Sequence, residues 1–177
     1  MSVLFASDFH FDHKNVIEYC NRPFSSVEEM NEAMIANWNK VVGEKDDIYV
    51  VGDFAFSDPR PFAARLNGRK YLIKGNHDYR WESKLNECFE WVKDLHVLRH
   101  EKQHIMLCHY AMRVWYRHHH GAWHLYGHSH GSLPGQGRSA DVGVDVRNFT
   151  PVSFEKIKEE MENIVIPVVD HHKPETK

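Results

Sequence analysis

Apolar residues gather in five short runs along the chain: VLFAS (3–7), DIYVVG (47–52), KYLIKG (70–75), HIMLC (104–108) and AWHLYG (122–127). Each is rich in β-branched or aromatic residues and bounded by small or polar ones, which predicts a buried strand. Between the first two runs the period changes. Val27, Met30, Met34, Trp38 and Val41 recur every three or four residues, and Ser25 or Ser26 faces an acidic residue three positions on. A capped amphipathic helix is predicted across FSSVEEMNEAMIANWNKVV. Asp58 with Pro59 opens a short helix running to Leu66. Trp81, Leu85 and Cys88 or Phe89 mark another, and Ser153 caps one bearing Phe154, Ile157, Met161 and Ile164 on one side. Strands alternating with helices predict an α/β layered domain.

A length of 177 residues fits one domain, taken as residues 1–169, followed by a polar tail at 170–177. The balance of 22 basic against 25 acidic residues provides no positive field for coating nucleic acid. Contact with a short nucleic acid stays open but is not indicated by charge. No stretch approaches the ~20 apolar residues of a membrane helix, so no membrane partner is expected. Three cysteines, odd in number and widely spaced, fit a reducing, cytoplasmic compartment. Fifteen histidines in so ordinary a composition call for a use of imidazole.

The residues at the strand exits suggest that use. The first run leads to Asp8 and His10, the second to Asp53, the third to Asn76 and His77, the fourth to His109 and the fifth to His128 and His130. Gly52, Gly75 and Gly127 immediately precede three of these groups, with Ser7 and Cys108 as small substitutes elsewhere. Small residues there leave space. In Asp8-Phe9-His10 and His128-Ser129-His130 the polar side chains are two apart, so on an extended backbone each pair points one way and can grip one ion. One histidine at a strand end is ordinary; five exits of the same form at one sheet edge predict a shared metal site.

In that order, Asp8-x-His10, Gly52-Asp53, Gly75-Asn76-His77-Asp78, His109 and Gly127-His128-x-His130 resemble the five-motif signature of calcineurin-like metallophosphoesterases, over residues 8–130. The resemblance, to the small bacterial or phage type, implies a four-layer α/β/β/α sandwich with two mixed β-sheets flanked by helices. It implies Asp8, His10, Asp53 and His130 on one metal ion, and Asp53, Asn76, His109 and His128 on a second, with Asp53 as the bridge. It further implies that His77 handles the substrate without ligating metal and that Asp78 orients His77. Phe56 stands where the protein Ser/Thr phosphatase branch carries an aspartate, and the chain is short for that branch. Protein dephosphorylation is therefore not expected.

Two cations ~3.5 to 4 Å apart generate hydroxide and neutralise charge on a phosphate ester. With Asp8 and Asp53 the only anionic ligands, two divalent ions leave the cage net positive. Imidazole and oxygen donors without thiolate suit transition metals: two Mn(II) are the first expectation, with Fe, Zn, Ni or Co as substitutes. The expected activity is hydrolysis of phosphomonoesters or phosphodiesters by a hydroxide held between the ions, with His77 assisting. The expected substrate is a small phosphoester or nucleotide. A small nuclease or nucleotide pyrophosphatase falls within the same class, and a non-catalytic metal-binding interaction scaffold is the alternative outside it.

The segment 111–123 is expected beside the metal edge. There Arg113 or Arg117 would clamp phosphate, and Trp115, Tyr116 or Trp123 would stack on a flat group, although an ordinary packed loop fits equally. His118, His119 and His120 fit the surface better than a third metal site. His13, His96, His100, His104 and His124 are expected at the surface or in local hydrogen bonds, and His171 and His172 in the tail. Asn15 and Arg22 are left undecided, and Asp141 and Asp145 read as strand and turn residues.

Overall fold

All five apolar runs form strands in the computed structural model, which describes residues 1–171. They are β1 (Val3–Ala6), β2 (Asp47–Val51), β3 (Arg69–Ile73), β6 (Gln103–Cys108) and β7 (Trp123–Tyr126). Four more went unpredicted: β4 (Trp91–Lys93), β5 (Leu95–His100), β8 (Ser139–Asp141) and β9 (Val152–Ser153). All but β5 are too short to carry a periodic signal, and β5, LHVLRH, interleaves basic residues.

Two mixed sheets result. One runs β4-β3-β2-β1-β9, parallel except for β9. The other runs β5-β6-β7-β8, with β5 antiparallel to β6 and the remaining pairs parallel. The helices are α1 (Lys14–Tyr19), α2 (Val27–Val41), α3 (Arg60–Ala63), α4 (Glu82–Cys88) and α5 (Phe154–Met161). At the start of α2 the two serines divide the capping work. Ser26 Oγ accepts from the Glu29 amide at 3.1 Å, while the Glu29 carboxylate accepts from Ser25 N at 2.7 Å. Ser153 caps α5 in the same way, accepting from Lys156 N at 3.2 Å.

Alternation along the strands divides the interior. Leu4, Ala6, Ile48, Val50 and Leu72 pack with Val16, Met30, Met34, Trp38 and Leu85 under the helices. Their neighbours Val3, Phe5, Tyr49, Val51 and Ile73 face Ile105, Leu107, Trp123 and Leu125 of the second sheet. α5 joins this second cluster through Phe154, Ile157 and Met161. Met106, on the other face of the second sheet, is covered by Trp115 and Ala122 from the β6–β7 connection, which contains one 3-10 turn, His118–His120. Among the described residues, that segment stands where an outer helical layer was expected.

Because β1, β2 and β3 are parallel, their carboxyl ends share one edge, and the parallel β6–β7 pair brings its own carboxyl ends there. No helix among the described residues is long and apolar enough to cross a membrane. The tail expected at 170–177 lies, from residue 172 onward, outside the described residues.

Candidate metal centre

At the shared edge the strand-exit residues meet. Asp53 Oδ2 stands 3.6 Å from His10 Nε2 and 3.4 Å from His109 Nε2. Asn76 Oδ1 lies 3.2 Å from His109 Nε2 and 3.0 Å from His128 Nδ1. Asp8 accepts from the His128 amide on both carboxylate oxygens, at 3.1 and 3.0 Å. Donor atoms of Asp8, His10 and His130 form one group lying within 4.8 Å of one another, and those of Asp53, His109 and His128 form a second. His10, Asp53 and His77 also meet this limit, so Asp53 touches both halves.

Backbone geometry at these positions is unusual. Asp8, His10, Asp53, His128 and His130 all have positive φ, between 45° and 66°. Left-handed conformations cost non-glycine residues of order 1 kcal/mol each, and they cluster where a site requires them. The extended pairs expected for Asp8/His10 and His128/His130 are therefore replaced by left-handed loops, which converge the side chains from tightly folded chain. Backbone hydrogen bonds tie the first two loops together: Asp8 N donates to Gly52 O and His10 N to Asp53 O, each at 3.0 Å.

The space left by the small residues is filled by the cage itself. A side chain at Gly52 would run into the His109 ring, one at Gly75 into the Asp53 carboxylate, and one at Gly127 into Ser7 and Asp8. Gly52 also has φ +98°.

Outer partners aim three of the rings. His109 Nδ1 pairs with Val51 O at 2.9 Å, His130 Nδ1 with Asp145 Oδ2 at 2.7 Å, and His10 Nδ1 with His13 Nδ1 at 3.4 Å. This leaves Nε2 of His10 and His109 on the Asp53 side. His10 Nε2 is buried with no hydrogen-bond partner among the described residues. A buried lone polar atom is costly, and coordination would satisfy it.

The electrostatics suit a cation at this edge. Burial pushes the Asp8 carboxyl up to about 7, against the opposing charges of His109 and His130. Burial drives His10 well below the usual imidazole range. Burial also raises Asp53, but hydrogen bonding and charge from His109 outweigh it and hold the carboxyl at about 2. His109 is correspondingly lifted to about 9 by Asp53 against its own burial. Two buried carboxylates and the Asn76 oxygen facing four imidazoles make a donor set suited to divalent transition ions.

His77 donates its amide to Asp53 Oδ1 at 2.9 Å, and its ring sits 5.2 Å from that of His10. A cleft of about 540 Å³ opens beside them, lined by His10, His13, His77, His128 and His130 on one side and by Val16, Tyr19 and Asn21 on the other. Asp78 does not serve His77 as expected. Its oxygens accept from the amides of Asp53 at 2.8 Å, Phe54 at 3.0 Å and Gly75 at 2.8 Å, so it pins the two loops together.

None of the substrate groups expected on the 111–123 segment lines that cleft. Parallel β6 and β7 force their connection to run back from the carboxyl edge to the amino edge. Trp115 is buried against His118 and His124 and donates its indole N–H to Ala122 O at 2.9 Å. Arg117 acts electrostatically on His104, near the start of β6. Arg113 lines a separate cavity with Met112, Leu133 and Pro134. Trp123 is buried and stacks on Phe154, whereas Tyr116 is exposed near His104.

Three residues to which sequence reasoning assigned no role at the centre lie against it. His13, expected at the surface or in a local hydrogen bond, makes that bond to His10 and also stacks on Phe56 with ring centroids 4.1 Å apart. Arg22 is buried and bound to Asp145. Asp145 itself, read as a strand or turn residue, holds His130. Asp141 proves a shaping residue, accepting from Ser129 Oγ at 2.9 Å and Gly131 N at 3.0 Å. The spacing of His10 and His13, three apart, was a usable signal for His13; Arg22 and Asp145 carried none.

No protein-family model matches the chain. A protein of the archaeon Methanocaldococcus jannaschii, the uncharacterized protein MJ1445, is 38% identical over 163 residues, covering 85% of this chain and 86% of its own. Among solved structures, the Aquifex aeolicus protein of unknown function AQ665 superposes with a TM-score of 0.74 at 25% identity, over 90% of this chain and 98% of that one. A conserved uncharacterized protein of Streptococcus pneumoniae, described as a predicted phosphoesterase, matches with a TM-score of 0.40 at 16% identity over 80% of this chain and 70% of that one, too low to carry an argument.

Proposed function

The chain belongs to the same family as MJ1445 of Methanocaldococcus jannaschii, and from the residues gathered at its shared strand edge we propose that it is a phosphoric ester hydrolase working with two divalent metal ions, manganese(II) foremost. One observation carries the reading: five separated segments gather six other metal-capable side chains near Asp53, one of whose oxygens lies within 3.6 Å of two imidazole nitrogens from opposite halves. Asp8, His10, Asp53 and His130 would hold one ion; Asp53, Asn76, His109 and His128 would hold the other. Bound ions would supply Lewis acidity toward a phosphoryl group and its leaving oxygen.

The chain's own groups then have definite tasks. Asp53 sets the spacing by offering one carboxylate to both halves. Asn76 contributes a neutral oxygen, which keeps the loaded cage net positive and attractive to a phosphate anion. His77, facing the cleft, donates a hydrogen bond or proton from its imidazole to the leaving oxygen. The cleft toward Tyr19 and Asn21 receives the rest of a small phosphoester or nucleotide.

The test is hydrolysis by manganese-loaded protein of p-nitrophenyl phosphate and its bis-ester, followed by cyclic nucleotides and short single strands. Metal-dependent turnover on at least one is expected. No turnover on any, in protein shown to contain two ions, would sink the catalytic reading and leave the non-catalytic scaffold in its place.

A further inference from the structure

Arg22 is a buried cation with no part in the proposed chemistry. Its exposure is 4%, and its guanidinium is fully committed. Nε donates to Asp145 Oδ1 at 2.7 Å and Nη2 to Asp145 Oδ2 at 2.8 Å, a bidentate pair joining residues 123 positions apart. Nη2 also donates to the carbonyl of Asp8 at 2.7 Å, and Nη1 to that of Phe9 at 3.0 Å. Asp145 Oδ2 in turn contacts His130 Nδ1 at 2.7 Å.

We infer that Arg22 and Asp145 are positioning residues that set one half of the metal cage, fixing His130 as the Nδ1–H tautomer with Nε2 free for a metal ion and holding Asp8 in its left-handed turn. This rests on the metal reading above. Such a role explains why an arginine is buried behind a site meant for cations: Asp145 neutralises it, and its remaining donors satisfy the two carbonyls exposed by the Asp8–Phe9 turn.

Asp145 is not itself a ligand. Cys20, His130 and Asp145 can be grouped as three potential donors, but both Asp145 oxygens are engaged by Arg22 and one by His130 as well. A cation there would sit directly against a guanidinium. Asp145 therefore acts through His130, in the way an outer carboxylate orients a metal-bound imidazole and strengthens its basicity. Among the described residues the second half of the cage has no such clamp: His109 leans on a main-chain carbonyl. The two ions should thus differ in their dependence on Asp145.

The experiment is titration of the metal-free full-length chain with Mn(II), with bound metal counted by elemental analysis. Wild type should take up two ions. Asp145→Ala should retain one at wild-type affinity and bind the other at least about tenfold more weakly. Asp145→Ala should cost less metal affinity in the His130→Ala background than in wild type, whereas general loosening of the fold would cost the same in both. Should Asp145→Ala fail to fold, nitrogen-15 NMR of the His130 ring in metal-free wild type at pH 9 decides: the Nδ1–H tautomer is expected, and the Nε2–H tautomer overturns the inference. Two equally tight ions in both wild type and Asp145→Ala would overturn the positioning role alone. A wild type that takes up no manganese would overturn the proposed function and this role with it.

Discussion

Asp78 accepts a hydrogen bond from the amide of Asp53 at 2.8 Å. The acid next after His77 thus holds the loop carrying the central carboxylate, and it reaches the site through backbone rather than through the neighbouring imidazole. With Phe54 N and Gly75 N on the same side chain, three buried amides depend on one carboxylate.

Replacing Asp78 by Ala should therefore act first on stability. Leaving three buried donors unsatisfied costs roughly 3 kcal/mol or more, which for a chain of this size lowers the melting temperature by about 6 to 12 °C. Asn should rescue poorly, because its NH2 would face an amide donor. Thermal melts of the metal-free variants check this, and a Tm within about 2 °C of wild type would contradict it.

His77→Ala should lower kcat by about 10² to 10⁴-fold while manganese uptake stays at two ions. Elemental analysis beside single-turnover rates separates these effects. Loss of an ion in this variant would assign His77 to the cage, as its grouping with His10 and Asp53 also permits.

The contributions of Asp8 and Asp78 to the stability of the metal-free protein should fall as pH rises from about 5 to 7, while His10, His124 and His128, each lowered chiefly by burial, contribute in the opposite direction. Burial lifts Asp8 to about 7 and Asp78 to about 6 in the folded chain, so the folded state binds more protons than the unfolded one between the ordinary carboxylate range and these values. His109, raised to about 9, adds a loss in the same direction as pH climbs through 9. Manganese should reverse the trend, because ligand deprotonation favours metal uptake at higher pH. Melts at pH 5, 6, 7 and 8 on wild type and Asp8→Asn, with and without manganese, test this; a metal-free Tm difference between the two that does not change with pH would count against it.

Arg117→Ala should leave turnover within about twofold of wild type, since this side chain lies toward the amino end of β6. Trp115→Ala, by contrast, should cost about 3 to 5 kcal/mol of stability with little change in kcat per folded molecule. Kinetics beside urea unfolding resolve the two, and a large rise in KM for Arg117→Ala would return it to the site.

The strand exits were legible in the sequence because their order, strand then small residue then polar group, survives in one dimension. Small residues at Gly52, Gly75 and Gly127 were visible as space, although what fills it is the cage's own side chains. The path of the 111–123 segment was not legible because nearness in sequence to His109 concealed the return that parallel β6 and β7 require; the packed loop weighed as an equal alternative is what Trp115 and Trp123 form. Arg22 and Asp145 were illegible for a related reason: they meet across 123 positions, and neither sits in a motif. Short elements such as β8 and β9 draw their stability from neighbouring strands and leave no periodic trace.

The most direct test is anomalous diffraction at the manganese edge from crystals grown with excess Mn(II). Two peaks sharing an oxygen of Asp53, one beside Asp8, His10 and His130 and the other beside Asn76, His109 and His128, are the predicted result. No peak, or a single ion bound without Asp53, would contradict it.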